Sequence, residues 1–360
     1  MMIHLEKQRI YLKMSNDIIG SYTEWQPLEI ALVGRVNHDL KVNMARKVKV
    51  NHTEYTRIFD ETDKFLDDLA KLLESFDVKV ERPNPTHVLN YSYDIKDLKF
   101  DTVNESGHKS SFKTSVNVEL TKHPIGVRDL VTCIDNKIIE FNSIDNIRFF
   151  ESNAYYENLL KYFDKGAQWI SMPKNPWLEF AHDDNNFMYF EAANIYKCGK
   201  DLFVTVEETG NKKGVEWLKR TLPNFNINIA DKLYNHIDGM FSIIKPGLLL
   251  SALPKEVLPK KLQSWDIIKL ETKVFERPDL IDVYAQDTDF KNTMLDANVF
   301  SINEETVLIS AHDKDLISKF KKYNVEAIPV EFKHRHFFNQ GLHCLVLDLK
   351  RKGPMENYFD

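Results

Sequence analysis

A cysteine, a histidine and two acidic residues stand where apolar, strand-like runs of this sequence begin. Cys344 opens the run in GLHCLVLDL, His236 precedes MFSII, Asp129 lies in VRDLVTC and Glu191 lies in YFEAANIY. A thiol, an imidazole and carboxylates are the groups that proteins use for nucleophilic attack and proton transfer. Taken singly, such an acid usually serves a turn and such a thiol is usually inert. Chemistry therefore requires a fold that brings all four together.

A repeated unit of strand, strand, helix and strand accounts for most of the chain. The clearest copy runs from NVFSINEETVLISA through the amphipathic stretch DKDLISKFKKY to VEAIPV. Three further copies begin at LVTCIDNKIIEF, NIYKCGKDLFVTV and FSIIKPGLLLSAL, and the last of these has a link broken by proline. At the front of the chain, LEIALVGR leads to the helical stretch FDETDKFLDDLAKLLESF and then to VKVERP.

Five such units, alike in shape but not in letters, indicate radial packing in which each unit buries its apolar face on its neighbours. The last apolar run, HCLVLDLKR, is expected to close the ring. Strand starts converge at the axis of a radial fold, so the acids, the histidine and the cysteine are predicted to meet there. Two stretches fit no unit. The polar residues 101–121 are predicted to form a loop or small flap, and the tail MENYFD is expected on the surface.

The composition excludes several classes of protein. The chain has 360 residues, 43% of them hydrophobic and 28% charged, which allows a large core, and its net charge of −6 predicts no nucleic-acid partner. Without an apolar run near the ~20 residues of a membrane span, and without a signal-peptide pattern, no membrane contact and a cytoplasmic location are expected. Three scattered cysteines are too few for a disulfide framework or a paired-cysteine zinc site. Cys133 and Cys198 are interpreted as inert core thiols.

Five stretches in a fixed order resemble the arginine:glycine and inosamine-phosphate amidinotransferases. They are GSYTEWQPLEIALVGR, VRDLV followed by IIEF, FEAANIYKCGKDLF followed by GVEWLKR, HIDGMF followed by KPG, and GLHCLVLDLKRKG. Together they extend from about Ser21 to the C-terminus. The resemblance implies the pentein fold, a five-bladed α/β propeller with pseudo-fivefold symmetry and a central active site. It also implies a single domain over residues 1–360.

The same resemblance implies a role for each residue at the strand starts. Cys344 matches the nucleophile and His236 the catalytic histidine, while Asp129 and Glu191 match catalytic acids. Substrate binding is expected from Asp238, Arg128 and Asn194. Because neighbouring residues of a strand face opposite ways, His343 is expected to point away from the site. The general acid and base role is therefore assigned to His236.

The chemistry of a guanidinium group explains these residue types. It is planar and cationic with five N–H donors, so carboxylates that accept paired hydrogen bonds hold it well. Its carbon is weakly electrophilic, which demands a thiolate, and the bound cation would itself lower the pKa of the Cys344 thiol. The expected reaction moves the amidino group of L-arginine to Cys344, releases ornithine and then transfers the group to an amine. It requires no metal and no organic cofactor.

Some positions differ from the family pattern and keep other functions open. Glu191 stands where the family has Asp and matches guanidine hydrolases such as arginine deiminase, while Asn194 replaces a second Asp. The segments FNSIDNIRFFE and ERPDLIDVYAQDTDFKNTM also match poorly. The alternatives are therefore a guanidine hydrolase of the deiminase or dihydrolase kind, or a non-catalytic binding protein. The expected partners are arginine and an amine acceptor, and a homodimer is compatible with the sequence.

Overall fold

Five three-stranded sheets with one shared topology follow each other along the chain. In each sheet the middle strand is antiparallel to one neighbour and parallel to the other, and a helical connection precedes the parallel strand. The computed structural model describes residues 18–38, 52–84, 95–103, 109–116, 124–144, 148, 151–174, 187–206, 209–233, 236–271, 293–311 and 314–359. The predicted five-unit α/β propeller is confirmed.

The strands are numbered along the chain. They are β1 Leu28–Val33, β2 Lys79–Glu81, β3 Ile95–Val103, β4 Lys109–Val116, β5 Val131–Ile134, β6 Lys137–Glu140, β7 Gln168–Ser171, β8 Ile195–Cys198, β9 Asp201–Val204, β10 Asn226–Ile229, β11 Phe241–Lys245, β12 Leu248–Ser251, β13 Asp266–Lys269, β14 Phe300–Asn303, β15 Thr306–Ser310, β16 Glu326–Val330 and β17 Val346–Arg351. The α-helices are α1 His52–Glu74, α2 Tyr156–Phe163, α3 Lys212–Thr221, α4 Thr293–Ala297, α5 Lys314–Lys321 and α6 Arg335–Phe338.

The ring closes where the two ends of the chain meet. The C-terminal strand β17 pairs antiparallel with β1, which in turn pairs parallel with β2 after the long helix α1. The other four sheets are β5-β6-β7, β8-β9-β10, β11-β12-β13 and β14-β15-β16. In the β11-β12-β13 sheet the link contains two 3₁₀ helices, Lys255–Val257 and Lys260–Ser264, each starting after a proline. Proline stops a regular helix here, as the sequence predicted.

Burial distinguishes the inner strands from the outer ones. All four residues are buried in β5, β8, β9 and β12, whereas β7 and β10 have exposed ends. The apolar cores lie between neighbouring sheets: one cluster joins Leu347 of β17 to Val131 of β5, and another joins Ile244 of β11 to Val307 of β15. Each unit therefore depends on its neighbours for a core. Among the described helices, none is both long enough and apolar enough to cross a lipid bilayer.

Two stretches outside the five sheets differ from the sequence-based expectation in part. Residues 101–121 were expected to form a loop or small flap, but much of this stretch belongs to the antiparallel hairpin β3–β4. The tail is largely exposed as expected, yet the Tyr358 ring packs 5.2 Å from Trp25 and Phe359 stacks on Trp265. Gly199 permits this docking because its φ is +64° and a Cβ there would lie 2.1 Å from the Glu356 carbonyl oxygen. Most of the segment ERPDLIDVYAQDTDFKNTM lies outside the described residues.

Candidate active site

The turns that precede the first strands of the sheets carry the predicted site residues. Asp129 lies two residues before β5, Glu191 precedes a 3₁₀ turn that leads into β8, and His236 precedes one that leads into β11. Cys344 lies in a turn two residues before β17, so it does not begin the strand itself. The ligand atoms of Asp129, Glu191 and His236 lie within 4.8 Å of one another.

Cys344 is held by an amide and a carboxylate. Asn298 Nδ2 donates to Cys344 Sγ at 3.2 Å, and the thiol lies 3.5 Å from Asp238 Oδ2. Asn298 Oδ1 also accepts the backbone N–H groups of His343 and Cys344, which fixes the turn. Gly341 is required beside it, since a Cβ there would lie 2.4 Å from the Asn298 side chain. The thiol is 5% exposed and faces a negative group.

His236 is paired with Glu191. Its Nε2 lies 2.9 Å from Glu191 Oε2, and its side chain is 20% exposed, more than that of any acid in the site. Ser143 donates to the other oxygen of Glu191. These two contacts hold the Glu191 carboxylate in place, and the carboxylate in turn orients the imidazole ring of His236.

Arg148 is a buried cation between three carboxylates. Its Nη1 donates to Glu191 at 2.8 Å, its Nη2 donates to Asp129 at 2.8 Å, and its Nε donates to Glu151 at 2.7 Å. The trio of Asp129, Glu191 and His236 has the ligand types for a metal ion, but the chain's own guanidinium already binds two of its members. Arg148 therefore joins the β5 turn to the β8 turn.

Arg128 and Asn194, both predicted to bind substrate, have protein partners. Arg128 donates to Glu24 at 3.2 Å, to Asp348 at 2.7 Å and to the carbonyl oxygens of His343 and Val346, which supports the Cys344 turn from below. Asn194 exchanges hydrogen bonds with the hydroxyls of Thr205 and Thr209. Their contact with substrate remains a prediction.

The charges of the site set the proton affinities of its reactive groups. Burial and the carboxylates of Asp238 and Asp129 hold the pKa of the Cys344 thiol well above its ordinary value. Burial alone would lower the pKa of His236, but its hydrogen bond to Glu191 and the nearby acids raise it. Without a bound cation, the site therefore disfavours the thiolate of Cys344, while His236 binds a proton more tightly than a free imidazole does.

Sequence reasoning missed three residues that contact the site residues. Arg148 lies in a stretch without periodicity, and its partner Glu191 is 43 residues away, so no local signal marks it. Asn298 stands just before β14, the same place that the predicted residues occupy in other units, and that shared position could have identified it. His343 was expected to point away. Strand alternation does not apply in a turn, and His343 Nδ1 lies 2.9 Å from the Asp238 carboxylate.

Two histidines are expected to change stability with pH in opposite directions. The folded protein binds a proton at His236 more tightly than the unfolded chain does, so this group stabilises the fold below its ordinary pKa of 6.5. That contribution disappears as pH rises through the raised folded pKa. The stability lost in His236→Gln should therefore be largest in acid and should shrink with rising pH, measured by urea unfolding from about pH 5.5 to pH 8.5.

His334 provides the opposite control. Burial lowers its pKa despite a 2.7 Å contact between Nε2 and Glu61, so its contribution is lost as pH falls below 6.5. His334→Gln should make the protein relatively more stable in acid than in base. If the change in unfolding free energy depended on pH in the same way for His236→Gln and His334→Gln, the opposite directions assigned to the two pKa shifts would be contradicted.

No family model matches the chain, but individual proteins do. It is 25% identical over 387 residues to the mitochondrial glycine amidinotransferase of Gallus gallus, covering 95% of this chain and 85% of that protein. It is 25% identical over 365 residues to inosamine-phosphate amidinotransferase 1 of Streptomyces glaucescens, covering 95% and 99%. The solved structure of SxtG, an amidinotransferase of Microseira wollei in saxitoxin biosynthesis, has a TM-score of 0.73 at 26% identity and covers 95% of this chain and 100% of that one.

Hydrolases of the same fold are more distant. A structure of dimethylarginine dimethylaminohydrolase has a TM-score of 0.57 at 13% identity, covering 89% of this chain and 99% of that one. Five sheets around a thiol, an imidazole and several carboxylates, with these neighbours, define a pentein α/β propeller. Within that class the chain is similar to amidinotransferases over nearly its whole length, and these relatives support transfer of an amidino group.

Proposed function

We propose that this chain moves the amidino group of L-arginine to a small-molecule amine through a covalent amidino-cysteine on Cys344, releasing ornithine. The observation that carries the proposal is the position of the thiol. Cys344 Sγ lies 3.5 Å from the buried carboxylate of Asp238, in a site where the His236–Glu191 pair also lies near Asp129. A nucleophile, a proton carrier and holders for a cation are therefore available together.

The donor guanidinium is assigned to Asp238, with Asp129 as the second carboxylate. Asp238 Oδ1 is buried and accepts no hydrogen bond from the described residues, so that oxygen suits an N–H group of the donor. Arg148 demonstrates that carboxylates of this site bind a guanidinium group by several short hydrogen bonds. Glu191 is already committed to His236 and Arg148, which assigns it to orienting the imidazole.

Donor binding and ionisation of the thiol are coupled. Asp238 and Asp129 raise the pKa of Cys344, and a guanidinium cation bound between them would cancel much of that effect. The thiolate then forms mainly when its target is in place. This order limits side reactions of the nucleophile in the absence of its donor.

The reaction balances with the groups present. The thiol proton passes to His236 in its neutral form, and the thiolate sulfur forms a bond to the guanidinium carbon. The bond from that carbon to the ornithine nitrogen then breaks, and this nitrogen takes the proton from His236. An amine that enters next gives a proton to His236 and attacks the amidino carbon. The carbon–sulfur bond breaks, and the thiolate is regenerated with a new guanidino product.

Hydrolysis is the second candidate, because Glu191 stands where guanidine hydrolases carry Glu. In a deiminase the first step would expel ammonia in place of ornithine, and water would then attack the alkyl-bearing intermediate on Cys344 to release citrulline. A transferase must instead keep its intermediate until the amine enters, which implies a ping-pong mechanism and restricted access of water.

Incubation with arginine, with and without amines, tests the proposal. Arginine alone should give an amidino adduct on Cys344, visible by intact-mass analysis and peptide mapping, with stoichiometric ornithine and only slow release of citrulline or urea. Glycine and other candidate amines should then be supplied one at a time, and a competent acceptor should discharge the adduct as a new guanidino compound. Rapid citrulline formation at a rate that no amine changes would show a deiminase instead.

A further inference from the structure

His343 lies between two buried carboxylates directly before the proposed nucleophile. Its Nδ1 is 2.9 Å from Asp238 Oδ2, and its Nε2 is 3.1 Å from Glu24 Oε2. The Asp238 oxygen is the same one that faces Cys344 Sγ. The side chains of His343 and Glu24 are 2% exposed and that of Asp238 is 1% exposed, so water does not screen these contacts.

The two contacts constrain the charge of the ring. A neutral imidazole has one N–H group and one lone pair, so it can donate to only one of two carboxylates. Burial alone would raise the pKa of Glu24, but Lys197 and Arg128 lower it to about 2. Burial also opposes ionisation of Asp238, yet its contact with His343 holds its pKa below the ordinary value. Both neighbours are thus carboxylates, and a neutral ring would place a lone pair against one of them.

Two further observations favour a positively charged ring. Among the described residues, no Lys or Arg forms an ion pair with Asp238, although a buried carboxylate needs a compensating cation. Tyr196 stacks on the imidazole with 5.3 Å between ring centroids and an interplanar angle of 5°. An aromatic face attracts a cation. Arg128 is a positive charge nearby that opposes protonation of the ring, but its own charge is compensated by its ion pairs with Glu24 and Asp348.

We infer that His343 is an imidazolium that donates from both ring nitrogens and fixes the Asp238 carboxylate against Cys344, and so is a positioning residue for the covalent step. The charge of the ring is inferred from its two contacts and the charges of its neighbours, and its role rests on the proposed function. The imidazolium keeps Asp238 ionised and orients one oxygen toward the thiol. The other oxygen is then free to receive the donor. It also places a positive charge near the developing thiolate.

Nitrogen-15 NMR of the native protein tests the charge. The two ring nitrogens of His343, assigned through their connection to its own backbone, should both have the shifts of protonated nitrogens in the native protein at neutral pH. A shift typical of an unprotonated nitrogen at either position would overturn the inference. This measurement needs no variant and no substrate, so it decides the charge even if arginine gives no adduct and the proposed function fails.

The His343→Gln variant tests the role. A glutamine amide can donate to one carboxylate but carries no charge, so adduct formation on Cys344 should slow by about 100-fold. The dissociation constant for arginine should change by less than about threefold, because the bound donor cation itself favours the ionised form of Asp238. Loss of stability alone would lower the urea midpoint while leaving the single-turnover rate of the folded enzyme intact.

His334→Gln is the matched control, since it removes a buried imidazole that also contacts a carboxylate, at the outer helix α1. Its adduct rate should stay within about twofold of the native rate. A folded His343→Gln protein that forms adduct as fast as this control would overturn the positioning role. Should His343→Gln fail to fold, Glu24→Gln serves in its place, and the same slowing with retained arginine binding is expected because the ring loses one of its two carboxylates.

Discussion

Replacement of Cys344 by serine is expected to lower the rate of amidino transfer by roughly 10⁴-fold or more, and to abolish the covalent adduct. A hydroxyl is far less ionised than a thiol near neutral pH, and the site provides no dedicated strong base for it. The contacts with Asn298 and Asp238 suit an oxygen as well as a sulfur, so the fold should survive. Ornithine release and intact mass after arginine addition measure the loss, and circular dichroism checks the fold.

The other two cysteines are the controls for this experiment. Cys133 and Cys198 are fully buried in apolar clusters between sheets, and burial raises the pKa of Cys133 to about 12. Changing either to serine buries a hydroxyl at a cost of about 1 to 3 kcal/mol in unfolding free energy. The rate per folded molecule should not change. A folded Cys198→Ser protein as inactive as Cys344→Ser would refute the assignment of the nucleophile.

The ring of five sheets could be predicted because its signals are local. Each unit combines two apolar strands, a two-residue turn and an amphipathic helix, as in β8, Gly199 with Lys200, β9 and α3. The proline-broken link before β13 was also visible, since proline cannot continue a helix. The β3–β4 hairpin was missed in part because its strands belong to no unit and its sequence is largely polar.

The site residues that could be predicted from the sequence are those at one repeated position, just before the first strand of a sheet. Asp129, Glu191, His236 and Cys344 each precede the first strand of a sheet, so the shape of the unit selects them. The repeated position does not reveal the roles of Arg148 and His343, because each role depends on carboxylates from distant parts of the chain. His343 contacts Glu24 across 319 residues of sequence, and no spacing predicts such a pair. Ion pairs in a closed ring depend on which turns become neighbours, which only the fold determines.

Replacement of Arg148 by methionine is expected to lower the free energy of unfolding by about 3 to 5 kcal/mol, the largest effect on stability among these changes. Its four hydrogen bonds, at 2.7 to 2.9 Å, compensate Asp129, Glu151 and Glu191, each at most 1% exposed. Methionine fills similar space but leaves these carboxylates without their cation. Lysine restores the positive charge but cannot bridge three acids. The free energy of unfolding of Arg148→Lys should therefore lie between that of Arg148→Met and that of the native protein. Urea unfolding at neutral pH measures the series.

Arg57→Met is the matched control, because this arginine is 42% exposed and pairs with Glu61 along one helix at 3.4 Å. This change should lower the free energy of unfolding by less than about 0.5 kcal/mol.

The folded fraction of Arg148→Met should also form the adduct more slowly, since Glu191 loses the contact that orients it toward His236. Lowering the pH should narrow the stability gap between Arg148→Met and the native protein, because protonation relieves the uncompensated acids. Equal urea midpoints for Arg148→Met and Arg57→Met would show that the three carboxylates do not depend on this cation.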